Sequence, residues 1–414
     1  MIYFDTMFGM TVNKRRIEDE PEFVERKGLG HPDTLSDLLA EALSRNYSLY
    51  TLKHFGVVLH HNFDKTGLLG GKSSVVFGKG RLIDPIRVLI NGRVSTAFAD
   101  TRIPYKQIIN STVNNFFEKM FPGMLIEEDL DIIYNLSTAS SPGKTESEEA
   151  EKGARKYWFE PRSLADLPEL KKLVANDTSL GCAYAPLSRL EKFVFKIEAT
   201  LNSNLYKKEN PWCGTDIKVM GNRIGKDVSI TLCVPQIAKF VRNSDEYKSN
   251  SKKVHNLINK MVKEFFPADG VSVSLNTRDQ FSTNELYLTA IGSSIESGDE
   301  GLVGRGNRIN GLISNNRPMS MEGACGKNPV YHVGKLYNLC ALNIARRINR
   351  LTNSYTEVFL VSQSGQDLLR PWKVVIKLEN NNFSEKKLEP VIVKELDLIP
   401  KITKMLLAGK LSLC

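Results

Sequence analysis

Apolar residues recur at three- and four-residue spacing in several stretches, which predicts amphipathic helices. In 33–50 the stripe is Leu35, Leu38, Leu39, Ala42 and Leu43, with Asp33 or Thr34 placed to cap the start. The same period predicts helices over 105–121, 187–203, 255–266 and 334–351, and a helical tail near 393–408. Alternation of period two predicts strands over 227–234, 271–277 and 286–292, and in VFLVS and WKVVIKL near the C-terminal end. Short apolar runs predict strands at Val57–Leu59, followed by a polar turn at His60–Asp64, at Val88–Ile90, with a turn at Asn91-Gly92, and at 131–134. Residues 143–156 are charged without an apolar period and read as exposed loop, and the Gly-rich 298–330 reads as loop too. Half-exposed strands mixed with amphipathic helices predict an α+β fold, with mixed sheets carrying helices on one face. No repeat is visible in the sequence itself.

At 414 residues the chain is long enough for two or three domains. The charge balance is 56 Lys plus Arg against 47 Asp plus Glu, a net +9. That modest excess favours an anionic ligand without choosing between nucleotide phosphates and nucleic acid. The basic stretches lack the aromatic interleaving that stacks on bases, which disfavours nucleic acid. No apolar run reaches the ~18 residues of a membrane span, and the N-terminal stretch does not read as a secretory signal. Six scattered cysteines form no close pair, so neither a zinc ribbon nor a redox pair is expected, and a reduced cytoplasmic setting is the simplest reading.

Five stretches could carry chemistry. In VERKGLGHPDT, Gly28 and Gly30 permit close backbone approach, and His31 sits at a helix start where free N–H groups attract anions. Asp33 there could hold a magnesium ion (Mg2+). The stretch reads equally well as a capped helix start with an incidental histidine. In GDEGLVGRGNRINGLI, glycines at 298, 301, 304, 306 and 311 alternate with Arg305 and Arg308. Exposed backbone N–H groups and guanidinium forks make an oxyanion cradle, or else the stretch is a pair of hairpin turns. Asp299 and Glu300 could meet a metal or an amine. CGKNPVYHVGK gathers Lys327, His332 and Lys335 on one loop entering a helix. Lys218 opens an apolar run, with Asp216 as its candidate partner, and Asp177 sits in a turn before a low-charge run. GLLGGKSS falls one residue short of a phosphate loop and is rejected. Together the stretches suit a nucleoside triphosphate with magnesium.

The segments ERKGLGHPDT, VLHHNFD, ANDTSLGCAYAPLS, DIKVMG, GDEGLVGRGNRINGLI and NRPMSMEGACGKNPVYHVGK resemble, in order, the archaeal-type S-adenosylmethionine synthetases (methionine adenosyltransferases). The resemblance runs from about residue 22 to about 350. It implies three similar α+β domains around a pseudo-threefold axis, interleaved in sequence. Coarse spans are 1–130, 131–270 with a charged insertion at 143–160, and 271–414. It implies a cytoplasmic homodimer with active sites at the interface, magnesium as cofactor, and potassium (K+) as a further ion. The implied reaction forms S-adenosylmethionine from methionine and ATP, with release of phosphate and diphosphate. His31 resembles the family's histidine beside C5′, Asp33 its magnesium ligand and Glu25 its carboxylate near the nucleotide. Lys218, Arg305 and Lys327 resemble cations on the triphosphate. Asp177 and Asp299 resemble carboxylates on the methionine amine. Arg308 and His332 are looser matches for substrate binding.

Departures from the family pattern cluster in a few places. Asn135 stands for an arginine before an altered 135–145 stretch, Phe63 for a small hydroxyl residue, Cys325 for a serine and Tyr331 for an asparagine. They leave open a different thioether acceptor, or a protein that binds nucleotide or S-adenosylmethionine without turnover.

Overall fold

The computed structural model describes residues 7–12, 20–139, 157–267, 270–379 and 385–414. The charged 143–156 stretch falls wholly within 140–156, outside the described residues. Three mixed sheets of four or five strands organise the chain, each with its own apolar cluster. The first runs in the order Val271–Leu275, Asp227–Cys233, Lys218–Ile224, Glu22–Lys27, Ile313–Ser314. Helices Arg189–Leu201 and Ser244–Phe265 pack on it. The second runs Leu130–Ser137, Ile86–Val94, Gly67–Leu69, Glu300–Leu302, with His61–Asn62 also on Ile86–Val94. Helix Pro32–Phe55 packs on it and against Tyr105–Met120. The third runs Met7–Val12, Lys373–Leu378, Thr356–Val361, Leu180–Ala185, under helix Val333–Thr352. Each sheet joins one parallel pair to antiparallel neighbours. No sheet is drawn from one contiguous span, so loops distant in the chain meet at the edges between sheets.

The α+β class holds. Burial alternates along Leu130–Ser137 and Lys218–Ile224 with period two, as a half-covered sheet requires. The long helices fall where the apolar stripes place them. Ser244–Phe265 starts well before residue 255, because its first turns are polar and Asn243 caps them through Glu246 N–H at 2.9 Å. Three local expectations are corrected. Val57–Leu59 is buried but not a strand, and the predicted turn after it contains the strand His61–Asn62. Asn91-Gly92 is not a turn but lies inside Ile86–Val94. A Cβ at position 92 would collide with the carbonyl oxygen of Asn62, so the glycine serves close strand approach. Of 286–292, only Leu288–Thr289 is strand.

Candidate active site

Glu22–Lys27 is an inner strand, antiparallel to Lys218–Ile224, with Lys27 opposite Lys218 and Glu25 opposite Met220. Strand pleating therefore puts Glu25 and Lys218 within reach, and Lys218 Nζ lies 3.0 Å from Glu25 Oε1. Burial alone would lower the Lys218 pKa, but the hydrogen bond and charge of Glu25 outweigh it and hold the ammonium protonated above its ordinary range.

After Lys27 the chain passes tightly over residues 215–217. Gly30 N donates to Thr215 O at 3.0 Å, and a Cβ at Gly28 or Gly30 would strike that backbone. Pro32 takes the first helical position, so the N-cap of Pro32–Phe55 is His31 rather than Asp33 or Thr34. Its Nδ1 accepts the Asp33 N–H at 3.2 Å. A ring nitrogen that accepts carries no proton, which assigns the proton to Nε2. Desolvation lowers the His31 pKa, against the raising pull of Asp216 and Asp33, so the ring is neutral at pH 7. His31 is thus a neutral donor on the wall of a cavity of about 900 Å³, which Lys218, Asp216 and Asp299 also line.

Asp33 fastens the Gly-rich loop to this helix start. Its Oδ2 takes Lys27 Nζ at 2.8 Å and its Oδ1 accepts Leu302 N–H at 3.0 Å. Lys27 Nζ also donates to the Arg305 carbonyl at 2.8 Å, while the Arg305 residue is exposed. A Cβ at Gly301 would collide with Pro32, so only glycine lets the loop lie there. Asp299 is exposed and accepts from Ser294 Oγ at 3.0 Å. Asp216 does not pair with Lys218 as expected. Its buried Oδ2 collects Ser294 N–H at 2.9 Å, Ser294 Oγ at 2.6 Å and Tyr287 OH at 3.2 Å. Ser294 and Tyr287 carry no motif that sequence reading could single out.

Lys327 and His332 lie together elsewhere. The Lys327 side chain is 3 % exposed, its Nζ held between Asp64 Oδ2 at 2.8 Å and Glu322 Oε2 at 3.0 Å. Burial opposes its charge, and the two carboxylates outweigh that and raise its pKa. His332 caps Val333–Thr352 as His31 caps its own helix, its Nδ1 accepting Gly334 N–H at 3.3 Å. Full burial keeps it neutral. Lys335 is fully buried on Glu41, at 2.6 and 2.8 Å. Asp177 is exposed in a turn, its Oδ1 accepting Thr178 N–H, while the preceding Asn176 receives Val333 N–H at 3.0 Å. Arg308 braces its own loop, donating to the carbonyls of Gly304, Gly306 and Ser320. Within one chain, then, His31, Lys218 and Asp299 share a cavity, with Glu25 and Asp33 tied to its edge. Lys327 and His332 form a second group, and Arg308 joins neither.

The departing residues have structural work. Phe63 is fully buried against Tyr47 and His61, Cys325 is buried, and Asn135 Nδ2 donates to Asn91 Oδ1 at 2.9 Å. Among the described residues no three His, Cys, Asp or Glu side chains converge as a metal cage. Magnesium typically takes one or two carboxylates and substrate phosphates. Asp33, already accepting two hydrogen bonds, fits an ion shared with phosphate and not one held by protein alone.

The chain matches the S-adenosylmethionine synthetase (AdoMet synthetase) family over residues 2–154 and 160–410. The S-adenosylmethionine synthase of Aeropyrum pernix is 38 % identical over 412 residues, covering 96 % of each chain. That of Hyperthermus butylicus is 36 % identical over 413 residues, again covering 96 % of each. A solved structure described as an unusual S-adenosylmethionine synthetase from Campylobacter jejuni superposes with a TM-score of 0.58 at 14 % identity, covering 93 % of this chain and 88 % of that one, and supports the fold. These findings define the class as an enzyme of α+β fold. The chain belongs to the S-adenosylmethionine synthetase family. Among the described residues no helix is long and apolar enough to cross a membrane.

Proposed function

We propose that this chain makes S-adenosylmethionine from methionine and ATP in the cytoplasm, as a homodimer with magnesium. The methionine sulfur lone pair forms a bond to C5′, the C5′–O bond breaks, and its electron pair leaves on the triphosphate. Water then cleaves the tripolyphosphate to phosphate and diphosphate. Sulfur is a capable nucleophile, so the barrier lies in the charge that builds on the leaving oxygen. Neutral His31, its pKa lowered by burial, donates Nε2–H to that oxygen. Lys218, kept charged by Glu25, and Arg305 answer the negative tail. A cation about 4 Å from a phosphate oxygen interacts by roughly 4 kcal/mol at an effective dielectric of 20, before desolvation. Asp33 would hold magnesium against the phosphates, where it would neutralise developing charge. Asp299 and Asp177 are further proposed to meet the methionine ammonium. Arg308 holds the loop that carries Arg305. We assign potassium no residue.

Lys327 and His332 act in the same site if the second group of one protomer faces the His31 cavity of its partner. The observation that carries the reading is the capped, neutral His31 sharing one cavity with Lys218 and Asp299. Incubation with ATP, magnesium and methionine, followed by mass spectrometry, should give S-adenosylmethionine with phosphate release. No sulfonium product with any thioether tested would overturn the proposal.

A further inference from the structure

After helix Ile399–Leu407 the chain turns and runs through 410–414 without regular structure, against residues far away in sequence. Arg45 Nε, on helix Pro32–Phe55, donates to the Leu407 carbonyl at 2.9 Å and fixes where this stretch begins. Leu413 is 4 % exposed and reaches a small cavity that Gly304, Arg308, Glu322 and Cys325 also line. Cys414 follows and packs against the apolar cluster that contains Cys325. Both cysteines are free, and their thiols are hydrogen-bonded to each other. That hydrogen bond and burial raise the Cys325 pKa, with the charges of Asp37 and Glu41 adding to them, so the thiol stays protonated. A thiolate is disfavoured in such a place, whereas a disulfide carries no charge and suits an apolar cluster.

We propose that Cys325 and Cys414 form a reversible disulfide on meeting a small disulfide oxidant, and that this bond latches 408–414 onto the loop that carries Lys327. Cys414 is only partly buried and meets the oxidant first. Its sulfur attacks one sulfur of the oxidant, the oxidant's S–S bond breaks, and the leaving thiolate takes the Cys414 proton. The Cys325 sulfur then attacks Cys414 in the mixed disulfide, and the second thiolate departs with the Cys325 proton. The protein loses two electrons and two protons, which the oxidant gains as two thiols. The loop side is firmly held. Gly326, at φ +77°, donates its N–H to Glu41 at 3.1 Å, and its carbonyl accepts Phe63 N–H at 2.8 Å. Closing the sulfurs to a bond of about 2 Å therefore draws 408–414 toward the loop and not the reverse. Leu413 is then pinned between the loop that carries Arg305 and the loop that carries Lys327, and loop movement during turnover slows. This last consequence rests on the S-adenosyl transfer reading. The pair belongs to this chain in particular, because Cys325 stands where the family pattern has serine.

The whole protein treated with glutathione disulfide, then digested without reductant, should yield a linked peptide pair joining 325 to 414, lighter than the two free peptides by two hydrogens. Its melting temperature should rise by about 5 °C, the order expected for closing so long a loop. Its kcat should fall severalfold, and dithiothreitol should reverse all three changes. Cys414→Ser should keep the activity and melting temperature of the reduced wild type and respond to neither reagent. The inference fails if no link forms, if Cys325 joins Cys182 of the same cavity instead, or if the linked protein turns over as fast as the reduced one. A reduced wild type that makes no sulfonium product would sink the transfer reading instead, and the linked peptides and melting temperature would still decide the latch.

Discussion

His31 is both a helix cap and a hydrogen-bond donor, and the two roles can be separated. Asparagine is a good N-cap but cannot present the imidazole Nε2–H to the cavity. His31→Asn should therefore keep the melting temperature within about a degree and lower kcat by roughly 10²–10³-fold, the usual loss when one donor to a developing oxyanion is removed. KM for ATP should change little. An unchanged kcat would remove His31 from the chemistry. Gly28, Gly30, His31 and Asp33 could be read from the sequence because a tight pass and a proline-led helix start need those residue types in that order. The His31 tautomer could not, since it depends on which N–H meets the ring. Nor could Asp216's partners, since Ser294 and Tyr287 reach it only through folding.

Helix Pro32–Phe55 is where the sheets are stitched together. Asp37 is buried in it and accepts Gly304 N–H at 2.9 Å. Desolvation pushes its pKa up to about 7 from an ordinary 3.8. The folded state then binds a proton that the unfolded state has lost, so the contribution of Asp37 to stability falls as pH rises from about 4 to about 7. Asp37→Asn does not titrate. Its melting temperature relative to wild type should climb across that window and level off above it, and a difference independent of pH would refute the raised pKa. One turn on, Glu41 binds Lys335 from helix Val333–Thr352. Lys335→Met strands a largely buried carboxylate and should cost about 3–5 kcal/mol in urea unfolding. A cost below 1 kcal/mol would show that the pair does not join the two helices. Both helices could be read from their apolar stripes, whereas their cross-link could not, because Glu41 and Lys335 look like ordinary surface charges in sequence. Asn91-Gly92 shows the opposite failure. A strong local turn signal lost to the approach of the Asn62 strand, which local pattern does not contain.

At the scale of the molecule, each sheet takes strands from separated stretches, with Met7–Val12 on Lys373–Leu378 and Glu22–Lys27 on Ile313–Ser314. Period-two alternation marks strands but not their partners, so the sequence showed the class of fold and not which strands pair. The same limit applies to the site. The cationic loops were readable one by one, yet within a chain they form two groups, one around His31 and Lys218 and one around Lys327. The composite site between protomers proposed above would reconcile them. The direct test is complementation. His31→Asn and Lys327→Met are each expected to be nearly inactive alone. Co-expressed, they form mixed dimers in which one of two sites has both wild-type residues, so a random population should recover about a quarter of wild-type S-adenosylmethionine synthesis. Activity no greater than that of the separate variants would contradict the shared site.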